Sequence, residues 1–178
     1  MKNIIKKWFI PQGYVQLYQL LKKKENLKNK YLEENSVLRN SSANVDRCFI
    51  LATGPSINDI NVSLLKGELC ISVSNFFVHP LFNEIKPKYH IFAESHPPIT
   101  EDQYVNWLKD AEERITYTAN FIVSANDSFL LDKYKVLTKH KTYYYLSGGT
   151  YPVDFTKGLP EIQTVVHIAI YLAMYTGV

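Results

Sequence analysis

Apolar residues arrive along this chain in short bursts, each cut off by a polar turn, and the bursts follow two different periods. Five are strand-like. Residues 47–52 (RCFILA), 69–74 (LCISVS) and 89–93 (YHIFA) are brief apolar runs, 115–123 (ITYTANFIV) shares their character, and 141–146 (KTYYYL) is extended and aromatic-rich. Runs this short, rich in β-branched and aromatic side chains and bounded by turn residues, read as buried strands. Helical patterns fall between them, over 62–66, 80–85, 100–114 and 127–133, and a last apolar helix covers 161–175 before Gly177. Thr100 is a natural N-cap, its hydroxyl placed to accept from a free amide while Glu101 and Asp102 complement the helix dipole. Strands alternating with helices predict an α/β fold, a Rossmann-like and mostly parallel sheet with helices on both faces.

The first 45 residues break this rhythm. Residues 2–9 (KNIIKKWF) mix Lys with Ile, Trp and Phe, and after Pro11 the segment 14–21 (YVQLYQLL) runs apolar at helical spacing into Lys22-Lys23-Lys24. Residues 25–45 are polar and read as a linker, so the chain divides into an arm and linker at 1–45 and a domain at 46–178. Residues 1–40 hold nine Lys/Arg against three Glu, while residues 41–178 hold eleven basic against fourteen acidic residues. The excess positive charge therefore belongs to the arm and not to the domain, which disfavours a nucleic-acid-binding core. Two uses of the stretch 1–30 stay open. It can lie on an anionic membrane surface, each cation adding about 1 kcal/mol, or it can pack on the domain or on a second subunit of a homo-oligomer. No run approaches the roughly 18 apolar residues of a membrane span, and Lys6-Lys7 and Pro11 interrupt any leader-like segment. The expected location is cytoplasmic, at most peripheral to the membrane. Cys48 and Cys70 read as small residues of adjacent strands, with no metal-binding spacing.

Ligands of open α/β sheets sit outside the carboxyl ends of the strands. Three predicted strands end in distinctive polar groups: Thr53-Gly54-Pro55-Ser56, Ser74-Asn75 and Glu94-Ser95-His96. Gly54 lets a ligand approach the backbone without a Cβ clash. Pro55 fixes φ at the start of the next element, and Ser56 offers a hydroxyl beside free amides. His96 needs only a modest pKa adjustment to serve as a general base near neutral pH. His167, on the apolar helix, reads as a hydrogen-bonded core residue.

The segment 49–60 (FILATGPSINDI) resembles the opening of the bacterial lipooligosaccharide sialyltransferases and of the related motility-accessory and pterin-pyrophosphokinase-like proteins. The likeness continues in Ser74-Asn75-Phe76-Phe77, in residues 87–94 (PKYHIFAE), and in the Ala-rich helix that Thr164 begins. It covers residues 47–98 and 160–178. The resemblance implies a glycosyltransferase that moves a sugar from a nucleotide-sugar donor, CMP-sialic-acid-like or other, to a bacterial cell-surface glycan or glycolipid. Carried over to this chain, it implies that Thr53, Gly54, Pro55, Ser56 and Asn75 hold the nucleotide, with Thr164 near the phosphate. It also implies a sugar or leaving-phosphate contact from the tyrosine run Tyr143-Tyr144-Tyr145, here assigned to Tyr144, beside Glu94 and His96 as the catalytic candidates.

Two positions depart from the family pattern. Thr53 stands where the sialyltransferases have Asn, and Glu94 stands where they have Asn at the third strand end, a carboxylate suited to ribose hydroxyls or an amino group. The family's next strand, ending in Gly-x-Asp, and its later His base have no counterpart before Val178, so a catalytically incomplete piece is the expectation. No Asp-x-Asp occurs, and no metal or other cofactor is expected. The P-loop and GxGxxG patterns are absent too. The competing functions are a pyrophosphokinase-like diphosphotransferase, which would require magnesium, and a non-catalytic nucleotide-binding or assembly module.

Overall fold

The computed structural model describes residues 30–178, so the stretch 2–24 and its expected membrane or subunit contact lie outside the described residues. The fold is α/β and Rossmann-like. Strands β1 (Phe49–Leu51), β2 (Cys70–Val73), β3 (Tyr89–Ile91), β4 (Asn120–Ser124) and β5 (Lys141–Tyr145) form one parallel sheet in sequential order. Phe49 pairs with Cys70, Ile71 with Tyr89, Tyr89 with Asn120, and Asn120 with Lys141.

Sequential order has a consequence for the layers. Right-handed crossovers that all step the same way across a sheet must all lie on one face. Here that face carries the 3-10 turn Val62–Leu65 and the helices α1 (Phe82–Ile85), α2 (Glu101–Arg114) and α3 (Ser128–Tyr134). Their apolar residues, among them Val62, Phe82, Leu108 and Leu130, pack with Leu51, Cys70, Phe92, Phe121 and Val123 of the strands. The alternate strand residues, Ile71, Val73, Tyr89, Ile91, Ile122, Tyr143 and Tyr145, face the other way onto α4 (Val165–Thr176). Strands covered on both faces read as continuous apolar runs, which is why composition alone located them.

Capping sets the helix limits. Thr100 accepts from the Gln103 amide while the Gln103 side chain accepts from the Thr100 amide, a complete capping box before α2. Gly177, at φ 90°, ends α4 in the left-handed region, and the amides of Gly177 and Val178 return to Ala173. Two boundaries differ from expectation. β4 starts at Asn120, because Ile115 and Ala119 are buried in the connection and not in the sheet. α4 starts at Val165, because Thr164 has extended backbone and stands at the N-cap.

From Lys30 onward the stretch read as linker is packed structure. A 3-10 helix, Lys30–Leu38, buries Leu32 and Leu38. The fully buried Asn35 side chain accepts from the Tyr144 amide (3.3 Å) and donates to the carbonyls of Tyr144 (2.6 Å) and Phe155 (2.9 Å). One carboxamide thus stands in for a sixth strand along the β5 edge, which closes that edge to outside pairing. Further on, the amides of Asn40 and Ser42 donate to the carbonyls of Tyr175 and Thr176. These are among the orphan acceptors of the α4 C-terminus.

The loop after β5 folds back on itself. The amides of Gly148 and Gly149 both donate to the Leu159 carbonyl, and a Cβ on Gly149 would stand 2.1 Å from the Gly158 carbonyl oxygen. By contrast, a Cβ on Gly54 meets nothing nearer than Ser56 Oγ at 3.9 Å. Gly149→Ala should therefore cost about 2 kcal/mol and lower Tm by roughly 4–8 °C. Gly54→Ala should leave Tm unchanged within 1 °C or so of scatter, roughly the ±0.5 kcal/mol of a surface change.

His90 lies at the centre of the crossover face, fully buried, with Phe77, Phe82, Phe92 and Phe121 edge-on around it. Its Nδ1 shares a 2.7 Å hydrogen bond with Ser72 Oγ, and burial pushes its pKa down to about 3. Above about pH 6.5 the residue is neutral folded and unfolded, and contributes no pH dependence. Below that the unfolded chain takes up a proton that the folded chain refuses, so stability falls as pH drops toward 3, by at most ~1.4 kcal/mol per unit. His90→Leu, which leaves Ser72 Oγ its contact with the Tyr89 carbonyl, should remove this component. Urea midpoints of both proteins between pH 7 and 4.5 measure the difference, in which the carboxylate contributions cancel.

Candidate functional site

Every distinctive polar group singled out in the sequence lies at the carboxyl edge of the sheet, but only part of the set shares a cavity. A cleft of about 310 Å³ opens between the end of β3, the end of β5 and the start of α4. It takes Glu94 and His96 from β3, and Thr164 from the entrance to α4. Tyr145, Ser147 and Gln163 line it too, over an apolar floor of Ala93, Ile162, Val165 and Ile168.

The segment following β3 is held by the segment following β4 through two carboxylates facing in opposite directions. Glu94 reaches across to accept from Ser124 Oγ (3.1 Å) and Asn126 Nδ2 (2.9 Å). Asp127 reaches back to accept from the Ser95 amide (2.9 Å) and from Ser95 Oγ. Asp127 is only 2% exposed and, among the described residues, has no cation within ion-pair distance. A buried carboxylate of this kind is tolerated because its donors are directed and short. Beneath it, Tyr104 donates to the Ala93 carbonyl at 3.0 Å, and burial holds that hydroxyl well above the usual phenol range, so it remains a donor.

His96 is exposed, and its Nδ1 lies 2.9 Å from the Glu94 carbonyl oxygen. A carbonyl only accepts, so Nδ1 carries the proton in that contact and Nε2 is left as the basic nitrogen. Across the cleft, Thr164 makes no side-chain cap bond, and the first turn of α4 has no acidic residue. The His167 amide donates to the Thr164 carbonyl, so the helix presents the amides of Val165 and Val166 and the positive end of its dipole to the cleft.

The remaining candidates stand apart. Thr53, Gly54, Pro55 and Ser56 are exposed at the end of β1, two strands from His96, roughly 10 Å at ordinary strand spacing. Gly54 has φ −65° and ψ 150°, so its conformation does not demand glycine and its contribution is open space. Asn75 is exposed at the end of β2, but its Oδ1 already accepts from Trp107 Nε1 at 2.6 Å, which leaves only the amide nitrogen for a ligand. Tyr144 points to the other side of the sheet. Its ring packs at 4.8 Å on Tyr31, and burial lifts its pKa to about 12. Strand alternation instead sends Tyr145 to the cleft, its hydroxyl donating to the Phe92 carbonyl at 3.3 Å. His167 is half-buried and not in the core, with Nδ1 accepting from the Gln163 amide at 3.3 Å.

Ser124, Asn126, Asp127 and Ser147 are the site residues that sequence reasoning missed. Their signal was available, because the fourth and fifth strands also end in hydrophilic residues at the ligand-binding edge. Among the described residues no three His, Cys, Asp or Glu side chains are grouped to hold a metal ion, and no helix is long and apolar enough to cross a membrane.

Removing the buried acceptor should matter more than removing the exposed donor. Asp127→Ala leaves the Ser95 amide and hydroxyl without their partner and should cost about 3 kcal/mol, whereas Asn126→Ala should cost about 1 kcal/mol or less. Chemical denaturation of both variants checks the order.

No family model matches this chain, and no curated protein or solved structure matches it.

Proposed function

We propose that this domain binds a nucleotide-sugar donor at the carboxyl edge of its sheet, as part of a glycosyltransferase acting on a cell-surface glycan or glycolipid. The observation that carries the reading is the cleft itself, in which Glu94 and His96 face the uncapped amino end of α4. In this reading the α4 amides and Thr164 receive a phosphate group, and the open turn Thr53–Ser56 receives the nucleoside end. The acceptor hydroxyl gives its proton to His96 Nε2 as its oxygen bonds to the sugar carbon. The bond from that carbon to phosphate breaks, and the nucleotide leaves with the electron pair. Amides and hydroxyls aimed at the departing oxygens stabilise the charge. The resemblance of residues 49–60 to nucleotide-handling turns supports the same assignment.

A thermal-shift panel of CMP, CDP, UDP, GDP and ATP tests it. One nucleotide at 100 times its Kd should add about 2.7 kcal/mol, a rise in Tm of roughly 5–10 °C. Gly54→Val should abolish the shift without lowering the Tm of the free protein, since the added methyls enter open space. A panel with no shift rejects nucleotide binding, and a normal shift in the variant removes the β1 turn from the site.

A further inference from the structure

Among the described residues the cleft's lining contains one carboxylate, Glu94, and no Lys or Arg. Directly behind Ser95 lies a second carboxylate, the buried Asp127, with no cation within ion-pair distance among the described residues. Among the described residues the positive element at the cleft is the amino end of α4, which is a partial charge confined to its first turn. The cleft is thus polarised, with acceptors at the β3 side and bare amides at the α4 side. Its volume, about 310 Å³, sits at the lower end of small-molecule pockets, so it holds one ring and not a complete nucleotide sugar.

We propose that the β3 side of this cleft is a subsite for an uncharged pyranose, and that Glu94 selects against acidic sugars. The proposal rests on the nucleotide-sugar reading above for its biological meaning. A neutral sugar ring has an apolar C–H face, which Ile162, Ile168 and the buried ring of Tyr145 match, and a rim of hydroxyl donors, which the Glu94 oxygens accept. Each of those oxygens accepts one protein donor, from Ser124 or Asn126, and keeps a lone pair for a ligand. A sugar bearing a carboxylate brings a second negative charge into a cleft whose lining holds no cation among the described residues. Like charges at such range repel, more strongly in a half-closed site than in open water. The departure noted at the third strand end, Glu94 for an amide residue, is on this account the specificity element.

Methyl glucoside and methyl glucuronoside share one ring and differ by a hydroxymethyl against a carboxylate at a single carbon. Ligand-observed NMR titration of the whole chain with each should show the neutral glycoside binding at least tenfold more tightly. Glu94→Gln should shrink that ratio to about threefold or less. Gln163→Lys, on an exposed rim position that carries no part of the fold, should shrink it independently by supplying the missing cation. Binding of neither glycoside overturns the proposal, as does equal binding of both, or a ratio unmoved in both variants. Failure of the nucleotide reading looks different: the nucleotide panel stays silent while the two glycosides are still discriminated.

Discussion

The handedness of a β-strand-to-β-strand crossover is the constraint on which this structure depends. Five strands laid down in sequence order, each to the same side of the last, leave every connection on one face. The opposite face of the sheet is then bare until the chain returns to cover it. That return is α4, assisted by the segment from Lys30 to Ser42, whose amides satisfy the carbonyls at the far end of the helix. A helix returning over a parallel sheet runs antiparallel to the strands, so its amino end arrives at their carboxyl ends. The cleft exists because the return helix starts where the strands stop.

What gives the cleft a fixed shape is the reciprocal arrangement of Glu94 and Asp127. Each loop contributes the carboxylate that holds the other. Among the described residues neither acid has a cation within ion-pair distance, so the arrangement relies on directed donors, and for the buried Asp127 the loss of a donor leaves charge unsatisfied in a dry place. The backbone carbonyl of Glu94 then fixes the His96 tautomer. One residue's side chain ties down the loop while its main chain orients the adjacent imidazole.

The strands were readable from sequence because a sheet buried on both faces writes continuous apolar runs, and α2 was readable because Thr100 and Gln103 form its cap locally. What escaped depends on partners distant in sequence. Asn35 looked like linker polarity, yet the strand edge it closes lies 109 residues away. Tyr144 was chosen from a run of three tyrosines in which only strand parity decides which rings face the cleft, and parity needs the register of β4 against β5. Ile115 and Ala119 were drawn into β4 by composition, although burial in a connecting turn satisfies them as well. Gly54 was read as open space for a ligand's approach, and its ordinary backbone and the 3.9 Å to the nearest atom from a Cβ there leave that space clear.

The distribution of charge follows the same logic at larger scale. Nine basic residues fall within the first 40 positions, and the rest of the chain carries more acid than base. Residues 41–178 therefore add no net positive charge of their own to draw an anionic ligand. On the proposed reading, affinity for a phosphate group comes from short-range hydrogen bonds at the α4 amides, which act only after the ligand has docked. Short-range recognition is poor at capture and good at discrimination, because a misplaced group loses its bonds outright. For the same reason the charge on a sugar in the proposed subsite would matter more than in a site rimmed with arginines, where one extra carboxylate is easily absorbed.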